Sequence, residues 1–496
     1  MRINRREFCK FALSALPLSA ACHTRPKRPN ILFILADDHT RTAISCYNGP
    51  LARLADTANI DRLADGGVKL THAFCTNSIC SPSRATLLTG QYSHVHGVRC
   101  LGQSLDPGRI TLPVLFQKAG YQTAVFGKWH LRSRPQGFDD CKVLKVQGRY
   151  RDPQFLVKGG GQMETLSGWS TDIITELSMD YIRNRDRSRP FLVLCHFKAT
   201  HDPWDSREPY KSMYRDEVFP EPANLYDNYA NRSQAARRAT LKLEMINQST
   251  YPHSRLENAD WREQRGHIYR QYIKDFIRCG RVLDENVGRL LDFLKNQDLE
   301  DDTVVIYTAD QGHFLGEHGF FSKRFMYEEA MGIPFLIRFP EGAESGREND
   351  DMIANIDIAP TLLDIAGIEI PHWMQGRSFL NRLKAEPGTE WLQAVYYHYW
   401  QHLLHRDVAA HYGIRTRNRK LIFYYGLPLG QTDYPPTEPE WEMFDLQKDP
   451  AEMRNVYDDP AYEDEIPQLK NELAALQKRF GDTVSAYPEL ARVHEK

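Results

Sequence analysis

Short apolar runs recur along the chain, and most of them are followed at once by polar residues. Four of these runs, at 31–35, 122–126, 191–194 and 303–307, show no alternation of apolar and polar positions. Such runs are typical of strands buried on both faces, as in a parallel sheet covered by helices. Helical patterns lie between them, punctuated by capping residues and glycines, at residues 58–64, 112–119, 172–184, 261–296 and 357–366. Strands that alternate with helices predict a doubly wound α/β domain.

The last quarter of the chain has a different pattern. Two strand-like segments and one helical pattern follow a junction near residue 388, at residues 395–400, 420–425 and 467–480. We therefore expect a main domain over residues 28–387 and a smaller C-terminal α+β subdomain over residues 388–496. Within the main domain, residues 206–260 are rich in proline, asparagine, tyrosine and charge, which predicts an excursion over the surface.

The first 25 residues have the anatomy of a signal peptide, with a basic start, a short apolar run and then small residues. Arg5 and Arg6 fit a twin-arginine export signal, and Cys22 is placed like the cysteine of a lipoprotein. Lipidation of Cys22 and simple cleavage at the small residues both remain open, and either one removes Cys9. We predict an exported protein that is periplasmic or an outer-membrane lipoprotein, with an N-terminal lipid anchor as its single membrane contact if Cys22 is acylated.

Composition excludes some classes of function. The 496 residues carry 63 Lys and Arg against 65 Asp and Glu, a formal charge of −2. A nucleic-acid-binding protein would usually have a clear basic excess, so we expect no nucleic-acid partner. Nine cysteines at irregular spacings do not suggest a disulfide framework in a chain of this length. At least one of them is expected to be free, buried, modified or removed.

Polar residues follow all four predicted parallel strands. They are Asp37 and Asp38, Lys128 and His130, His201, and Asp310 and Gln311. Each set alone is best explained as an ordinary polar loop or a helix cap. Together they predict one site, because ligands of open α/β sheets bind beyond the carboxyl ends of the strands. Carboxylate and amide oxygens suit Ca²⁺ or Mg²⁺ rather than zinc.

The segment from Cys80 to Gly90 carries the sharpest signal. Ser81 can cap a helix, Pro82 suits its first position and Gly90 ends it, which places Cys80 just before a helix N-terminus. Anions are favoured there, and Arg84 adds a fork of donors for an oxyanion. A buried cysteine beside a structural helix, or a disulfide between Cys75 and Cys80, remains an alternative.

This segment resembles the signature of the formylglycine-dependent (type I) sulfatases, Cys-x-Pro-x-Arg followed by a small and apolar run and Thr-Gly. The resemblance continues through NILFILADD, GKWH, TADQG, GEHG, KRFMYEE and WEMFDLQKDPAEMRNV, and covers most of residues 28–460. Bacterial glycan sulfatases are the most similar. The resemblance implies an alkaline phosphatase-like α/β fold, a doubly wound mixed or parallel sheet with a smaller C-terminal α+β subdomain.

The resemblance also implies a role for individual residues. Cys80 would be oxidised by a formylglycine-generating enzyme, also called a sulfatase-maturating enzyme, to formylglycine (3-oxoalanine), whose hydrate attacks the sulfur. One calcium ion would be held by Asp37, Asp38, Asp310, Gln311 and the modified Cys80. Most relatives have Asn or His where Gln311 stands, but Gln keeps an amide oxygen, so we expect the metal site to be retained.

The remaining implied roles concern the sulfate and the protons. Arg84, Lys128 and Lys323 would neutralise the sulfate oxygens. His201, with Lys323, would protonate the leaving alcohol, and His130 would take the proton from the second hydroxyl of the hydrate and release sulfate. Asp310 would also help to ionise the attacking hydroxyl.

The predicted function is the hydrolysis of sulfate esters on sulfated mono-, oligo- or polysaccharides, releasing inorganic sulfate. Two alternatives remain, a formylglycine-dependent phosphonate or phosphodiester hydrolase and a non-catalytic glycan-binding pseudo-sulfatase. The second is disfavoured because every implied catalytic position is filled. Residues near these motifs or in the subdomain are candidates for sugar contacts, although such aromatics are as often part of a core: Trp129, Trp169, Trp204, Arg132, Arg134, Arg324, Tyr327 and His398.

Overall fold

A computed structural model describes residues 28–158, 161–340, 344–386 and 391–494. The signal peptide predicted for residues 1–25, with Cys9 and Cys22, lies outside the described residues. So do residues 387–390, where the predicted boundary between the two domains falls.

The described strands and helices follow one another in this order along the chain. The strands are β1 (Asn30–Ala36), β2 (Val68–Phe74), β3 (Gln122–Gly127), β4 (Asp140–Leu144), β5 (Gln154–Val157), β6 (Met163–Thr165), β7 (Phe191–His196), β8 (Thr303–Ala309), β9 (Phe314–Leu315), β10 (Phe321–Ser322), β11 (Gly332–Arg338), β12 (Arg347–Asn349), β13 (Ile353–Ala354), β14 (Ala394–Tyr399), β15 (His411–Thr416), β16 (Arg419–Tyr424) and β17 (Glu440–Asp445). The α-helices are α1 (Ala52–Ala55), α2 (Ala58–Asp65), α3 (Cys80–Thr89), α4 (Ser93–His96), α5 (Leu112–Lys118), α6 (Ser170–Arg183), α7 (Gln234–Arg238), α8 (Trp261–Asn296), α9 (Glu328–Met331), α10 (Ile358–Ile365), α11 (Leu380–Leu383), α12 (Glu465–Phe480) and α13 (Pro488–His494).

A mixed sheet of eleven strands, counted over the described residues, forms the centre of the main domain. Its path is β12-β2-β11-β8-β1-β7-β3-β4-β5-β6, with β13 paired to β2. The five strands from β8 to β4 along this path are mutually parallel. β11 runs antiparallel to both β8 and β2, and β5 and β6 extend the other side in antiparallel fashion. The predicted alkaline phosphatase-like α/β fold is confirmed.

Strand β1 shows why its apolar run has no alternation. Ile31, Phe33 and Leu35 belong to a buried cluster that includes residues of α3, α5 and α10. Leu32 and Ile34 belong to a second cluster, on the opposite face, that includes residues of α2, α6 and α8. Successive side chains of a strand point to opposite faces, so a strand covered by helices on both sides needs apolar residues at every position.

The C-terminal part contains a four-stranded antiparallel sheet in the order β14-β15-β16-β17. Ion pairs join it to the main domain: Glu328 of α9 contacts Lys420 at 2.9 Å and Arg415 at 3.1 Å, and all three side chains are largely buried. The small sheet is therefore held against the main domain next to the segment that carries Lys323.

Segment 206–260 does not simply run over the surface, and that prediction is wrong in one respect. Leu225 and Ile246 are fully buried in the core around α8, and Leu241 is buried in the other core. These apolar residues are scattered without a period, so the pattern gave no helix or strand, yet each anchors the segment. No helix among the described residues combines the length and the apolar character needed to cross a bilayer.

Candidate active site

The polar residues that follow the central strands come together, as the topology requires. β1 lies between β7 and β8 and is parallel to both, so the residues after these strands meet at one edge of the sheet. Carboxylate oxygens of Asp37, Asp38 and Asp310 lie within 4.8 Å of one another. Ligand atoms of Asp37, Cys80 and His201 lie within the same distance of each other. All five side chains are buried, which makes this a site of concentrated charge in a low-dielectric setting.

Cys80 reaches this cluster as the first residue of helix α3, whereas the prediction placed Cys80 before the helix and Ser81 at its cap. The helix starts at Cys80 itself, and Ser81 is not its cap. The hydroxyl of Ser81 instead donates to the backbone oxygen of His130 at 2.7 Å, which ties the helix start to the loop after β3. The first backbone N–H groups of α3 have no side-chain cap and are available to an anion.

The thiol of Cys80 is reduced and surrounded by charge. Its Sγ lies 3.7 Å from Asp37 Oδ1 and 3.6 Å from Gln311 Nε2. Cys75 is also a free thiol, so the alternative of a Cys75–Cys80 disulfide is wrong in this structure. Burial alone would raise the pKa of Cys80, but Lys128 and Lys323 outweigh it and lower the pKa to about 6. Such a thiol is ionised near neutral pH, which separates it from an inert structural cysteine.

Each of the three carboxylates has a cation of its own. The ammonium of Lys128 contacts Asp37, and that of Lys323 lies 2.6 Å from Asp38 Oδ1. Arg84 Nε donates to Asp310 Oδ2 at 2.8 Å. A second nitrogen of Arg84 donates to the Lys128 backbone oxygen at 2.7 Å, which fixes the plane of the guanidinium. Three carboxylates balanced by three cations explain how so many charges tolerate burial.

The acidity of the carboxyl groups differs within the cluster. Burial would raise the pKa of Asp37 and Asp38, but Lys128 and Lys323, respectively, hold both values below the usual range. Burial wins at Asp310, where it raises the pKa to about 6 in spite of Arg84. The two consecutive aspartates therefore stay ionised at neutral pH, whereas Asp310 titrates close to it.

The donor set fits a hard divalent cation. Carboxylate oxygens dominate it, and Gln311 adds an amide whose Nε2 donates to Asp38. The other amide atom, Gln311 Oε1, is buried and has no hydrogen-bond partner among the described residues. An orphaned buried oxygen beside three carboxylates is an acceptor without a donor, which a calcium ion would satisfy.

Two histidines near Cys80 have opposite proton affinities. His201 Nδ1 lies 2.6 Å from Asp202 Oδ1; burial alone would lower the pKa of His201, but Asp202 outweighs burial and raises it to about 9. Burial lowers the pKa of His130, whose Nδ1 has no hydrogen-bond partner among the residues described. At neutral pH His201 is therefore a proton donor and His130 a proton acceptor. Asp202 was not predicted, although its position directly after His201 was a usable signal.

A cavity of about 420 Å³ opens onto this cluster. Its walls include Asp38, Cys80, His201 and Lys323, together with residues that sequence analysis did not assign to the site. The latter are Leu101, Gln147, Asp202, Thr240, Asn247, Thr250, Ser322, His405 and Arg406. Arg324, a candidate sugar contact from the sequence, also lines it, as does His313, whose Nδ1 lies 3.4 Å from Asp38 Oδ2. The volume is in the range of small-molecule sites.

Fold and site together define an alkaline phosphatase-like hydrolase, and known structures agree. A protein solved in complex with its substrate, D-glucosamine-2-N,6-O-disulfate, is similar with a TM-score of 0.84 at 36% identity, over 92% of this chain and 99% of that one. The phosphonate monoester hydrolase of Agrobacterium radiobacter has the same fold, with a TM-score of 0.72 at 22% identity over 91% and 96% of the two chains.

Sequence comparison narrows the class. A family model described as Sulfatase matches residues 29–368, and one described as N-sulphoglucosamine sulphohydrolase, C-terminal, matches residues 316–479. The N-acetylglucosamine-6-O-sulfatase of Bacteroides thetaiotaomicron is 37% identical over 519 aligned positions, covering 95% of this chain and 90% of that protein. This chain belongs to the sulfatase family and is a sulfuric ester hydrolase. The predicted resemblance to bacterial glycan sulfatases is confirmed.

Proposed function

We propose that this protein removes the sulfate from O6 of glucosamine units in sulfated glycans, with Cys80 converted to formylglycine and one bound calcium ion. The observation that carries the proposal is the low-pKa thiol of Cys80 at the start of α3, facing three carboxylates and three cations at the ends of parallel strands. The sugar follows from two relatives, an N-acetylglucosamine-6-O-sulfatase and the protein whose substrate is D-glucosamine-2-N,6-O-disulfate.

The calcium ion would be held by the oxygen donors of the cluster, Asp37, Asp38, Asp310 and Gln311, with residue 80. When bound, the ion supplies Lewis-acid polarisation of the sulfate, and the formylglycine hydrate supplies the attacking hydroxyl. With the carboxylates neutralised by that cation, Lys128 and Lys323 would become available to the sulfate oxygens. Arg84 keeps its fork oriented through the bonds to Asp310 and to the Lys128 backbone oxygen.

The histidines divide the proton transfers between them. A sugar alcohol is a poor leaving group, so it needs a proton as the S–O bond breaks. His201 is protonated at neutral pH because of Asp202, and lies in the cavity wall where the leaving oxygen would emerge. His130, neutral and without a partner on Nδ1, would take a proton from a hydroxyl of the modified residue 80 as sulfate departs.

The test is a substrate panel on protein produced with a sulfatase-maturating enzyme. We expect release of sulfate from D-glucosamine 6-sulfate, and much slower release from D-glucosamine 3-sulfate and D-galactose 6-sulfate. Mass spectrometry of the peptide containing residue 80 should show loss of the thiol and gain of an aldehyde. Unmodified cysteine in a fully active enzyme would overturn the mechanism, and equal rates on the three sugars would overturn the sugar assignment.

The phosphonate or phosphodiester alternative rests on a shared fold at 22% identity, whereas the sulfatase assignment rests on 37% identity along nearly the whole chain. Matched 4-nitrophenyl sulfate and phosphodiester substrates separate the two. Faster turnover of the phosphodiester would favour the alternative. A pseudo-sulfatase would bind the sugars and release no sulfate.

We also propose that residues 1–25 direct export, as their basic, apolar and small-residue order suggests. Cell fractionation with a Cys22→Ala variant tests the anchor. A lipidated protein moves from the membrane to the soluble periplasmic fraction on this change, whereas a simply cleaved protein is periplasmic in both forms. A cytoplasmic location of the wild type would contradict the proposal.

A further inference from the structure

Two further arginines lie in the wall of the active-site cavity. Arg324 follows Lys323, and Arg406 lies in the loop between β14 and β15. Both line the cavity that holds Cys80. Neither guanidinium forms an ion pair with a carboxylate of the described residues, in contrast to Arg84, Lys128 and Lys323.

One buried donor of Arg324 has no hydrogen-bond partner among the described residues. One nitrogen donates to Ser322 Oγ at 2.8 Å, while Nε is buried and has no hydrogen-bond partner among the described residues. The residue as a whole is only 6% exposed. Leaving a buried N–H donor of a guanidinium unpaired costs free energy.

Arg406 lies close enough to Arg324 for the charge of Arg324 to lower the pKa of Arg406. Its guanidinium carbon is 4.7 Å from the centre of the Phe321 ring, on the strand that leads to Lys323. Burial, and then the charge of Arg324, lower the pKa of Arg406 to about 10. Among the described residues, Asp202 is the one acidic group whose charge raises the pKa of Arg406, and its carboxylate is engaged by His201. Like charges in a partly buried wall repel, so the arrangement needs an anion to balance it.

The backbone holds this pair in place under strain. Arg324 has φ 104°, and in the loop Leu403, His405 and Arg406 have φ of 57°, 58° and 88°. Left-handed conformations are costly for non-glycine residues and cluster at functional sites. The loop is fixed at both sides, because Arg406 O accepts from Thr240 N at 2.9 Å and Leu403 N donates to Val408 O at 2.8 Å.

We propose that Arg324 and Arg406 form a second anion subsite, which binds an additional sulfate or carboxylate group of the same glycan while the scissile sulfate lies at Cys80. The inference deepens the proposed function, on which it rests, by assigning a preference for doubly anionic substrates. The two subsites share one cavity of about 420 Å³, so one substrate molecule can occupy both.

Kinetics on three substrates test the subsite and identify the source of the anion. They are D-glucosamine 6-sulfate, D-glucosamine-2-N,6-O-disulfate, and a disaccharide that joins a uronic acid to glucosamine 6-sulfate. We expect wild-type kcat/KM to be about ten-fold to a hundred-fold higher for one of the two doubly anionic substrates, the range of one charge-assisted hydrogen bond. Preference for the disulfate identifies a sulfate, and preference for the disaccharide a carboxylate.

The Arg406→Gln variant should lose most of that preference, and Arg406→Lys should keep part of it. Arg417→Gln is the matched control, since Arg417 is half exposed and pairs at 2.8 Å with the exposed Asp350; it should keep the wild-type ratio. A wild type that does not discriminate, or an Arg406→Gln enzyme with the wild-type ratio, would overturn the proposal. The readout is the ratio of kcat/KM between a doubly anionic substrate and D-glucosamine 6-sulfate. A loss of activity that affects both substrates equally leaves this ratio unchanged.

Binding separates this proposal from the function on which it rests. Isothermal titration with methanesulfonate and with alkane-α,ω-disulfonates of two to six carbons needs no turnover. If no glucosamine sulfate is hydrolysed, the proposed function fails. The subsite still stands if a disulfonate binds the wild type at least ten-fold more tightly than methanesulfonate and Arg406→Gln removes that gain. Equal affinities for both kinds of ligand in the wild type would refute the subsite.

Discussion

Lys323→Met tests whether the lysines of the site exchange partners when a cation binds. The Lys323 ammonium lies 2.6 Å from Asp38 Oδ1, and the two side chains are 5% and 2% exposed. Removing one partner of a buried ion pair costs about 3–5 kcal/mol, because the other charge stays buried without compensation. Unfolding entropy scales with length and is about 1 kcal/mol/K for a chain of this size, so the melting temperature should fall by about 3–5 °C in EDTA.

Calcium should reverse that loss. A calcium ion bound by Asp38 compensates the charge of this carboxylate in place of Lys323. In the Lys323→Met variant the ion also has no ammonium group to compete with for the Asp38 oxygens. We therefore expect the gap in melting temperature between wild type and Lys323→Met to close to about 1 °C in excess calcium. The same variant should lose about 10²–10³-fold in kcat with calcium bound, since a cation for the sulfate oxygens is gone.

The assay is differential scanning fluorimetry with EDTA and with calcium, on three proteins. The control is Lys142→Met, whose ammonium lies 2.9 Å from Glu164 in a pair that is 27% and 41% exposed. Such a surface pair contributes at most about 1 kcal/mol, and calcium should not change its effect. A gap for Lys323→Met that is the same with and without calcium would refute the exchange of partners.

Three further predictions concern residues of the site and of the C-terminal part. Cys80→Ala should abolish sulfate release while the affinity for D-glucosamine 6-sulfate by calorimetry stays within about three-fold; retained turnover would exclude residue 80 as the nucleophile. Arg84→Lys should lower kcat/KM about 10²-fold because lysine cannot reach both Asp310 and the sulfate, and an unchanged value in steady-state kinetics would contradict this role. His398, when protonated, lowers the pKa of Asp482 to about 2 against the effect of burial, a shift equivalent to about 2 kcal/mol of stability in acid. That contribution is lost as the pH falls from 3.8 towards 2, so Asp482→Asn should flatten the acid decline of the free energy of unfolding in urea titrations; a decline as steep as that of the wild type would contradict the pairing.

Sequence patterns predicted the part of the site that the sheet itself positions. Asp37, Lys128, His201 and Asp310 each follow a parallel strand, and the geometry of parallel strands obliges such residues to meet. Cys80 was recognised from a long local signature. In each case a short stretch of sequence carries the whole signal, either a buried strand with a polar end or a motif of fixed spacing.

The cavity residues that the sequence did not predict lie in segments without a regular pattern of apolar and polar positions. Arg406 and His405 belong to a loop whose left-handed residues are not glycines, and such a conformation is set by surroundings rather than by the residues themselves. Thr240 and Asn247 reach the cavity from segment 206–260, whose apolar anchors have no period. The prediction of Ser81 as a helix cap was wrong for a related reason. The Ser81 hydroxyl donates to the backbone oxygen of His130, a tertiary contact, and does not cap the helix.

The charge balance of the cavity connects the two subsites. Three carboxylates already have three cations, so a calcium ion alone would add two positive charges to a buried site, at a high cost in solvation. A substrate with one sulfate offsets one of these charges, and a substrate with two anionic groups offsets both. In the proposed subsite Arg324 and Arg406 would hold the second anionic group within the same cavity, and no carboxylate of the described residues forms an ion pair with either arginine. Calcium and a doubly anionic glycan should therefore each bind more tightly in the presence of the other, because together they leave the net charge of the cavity unchanged.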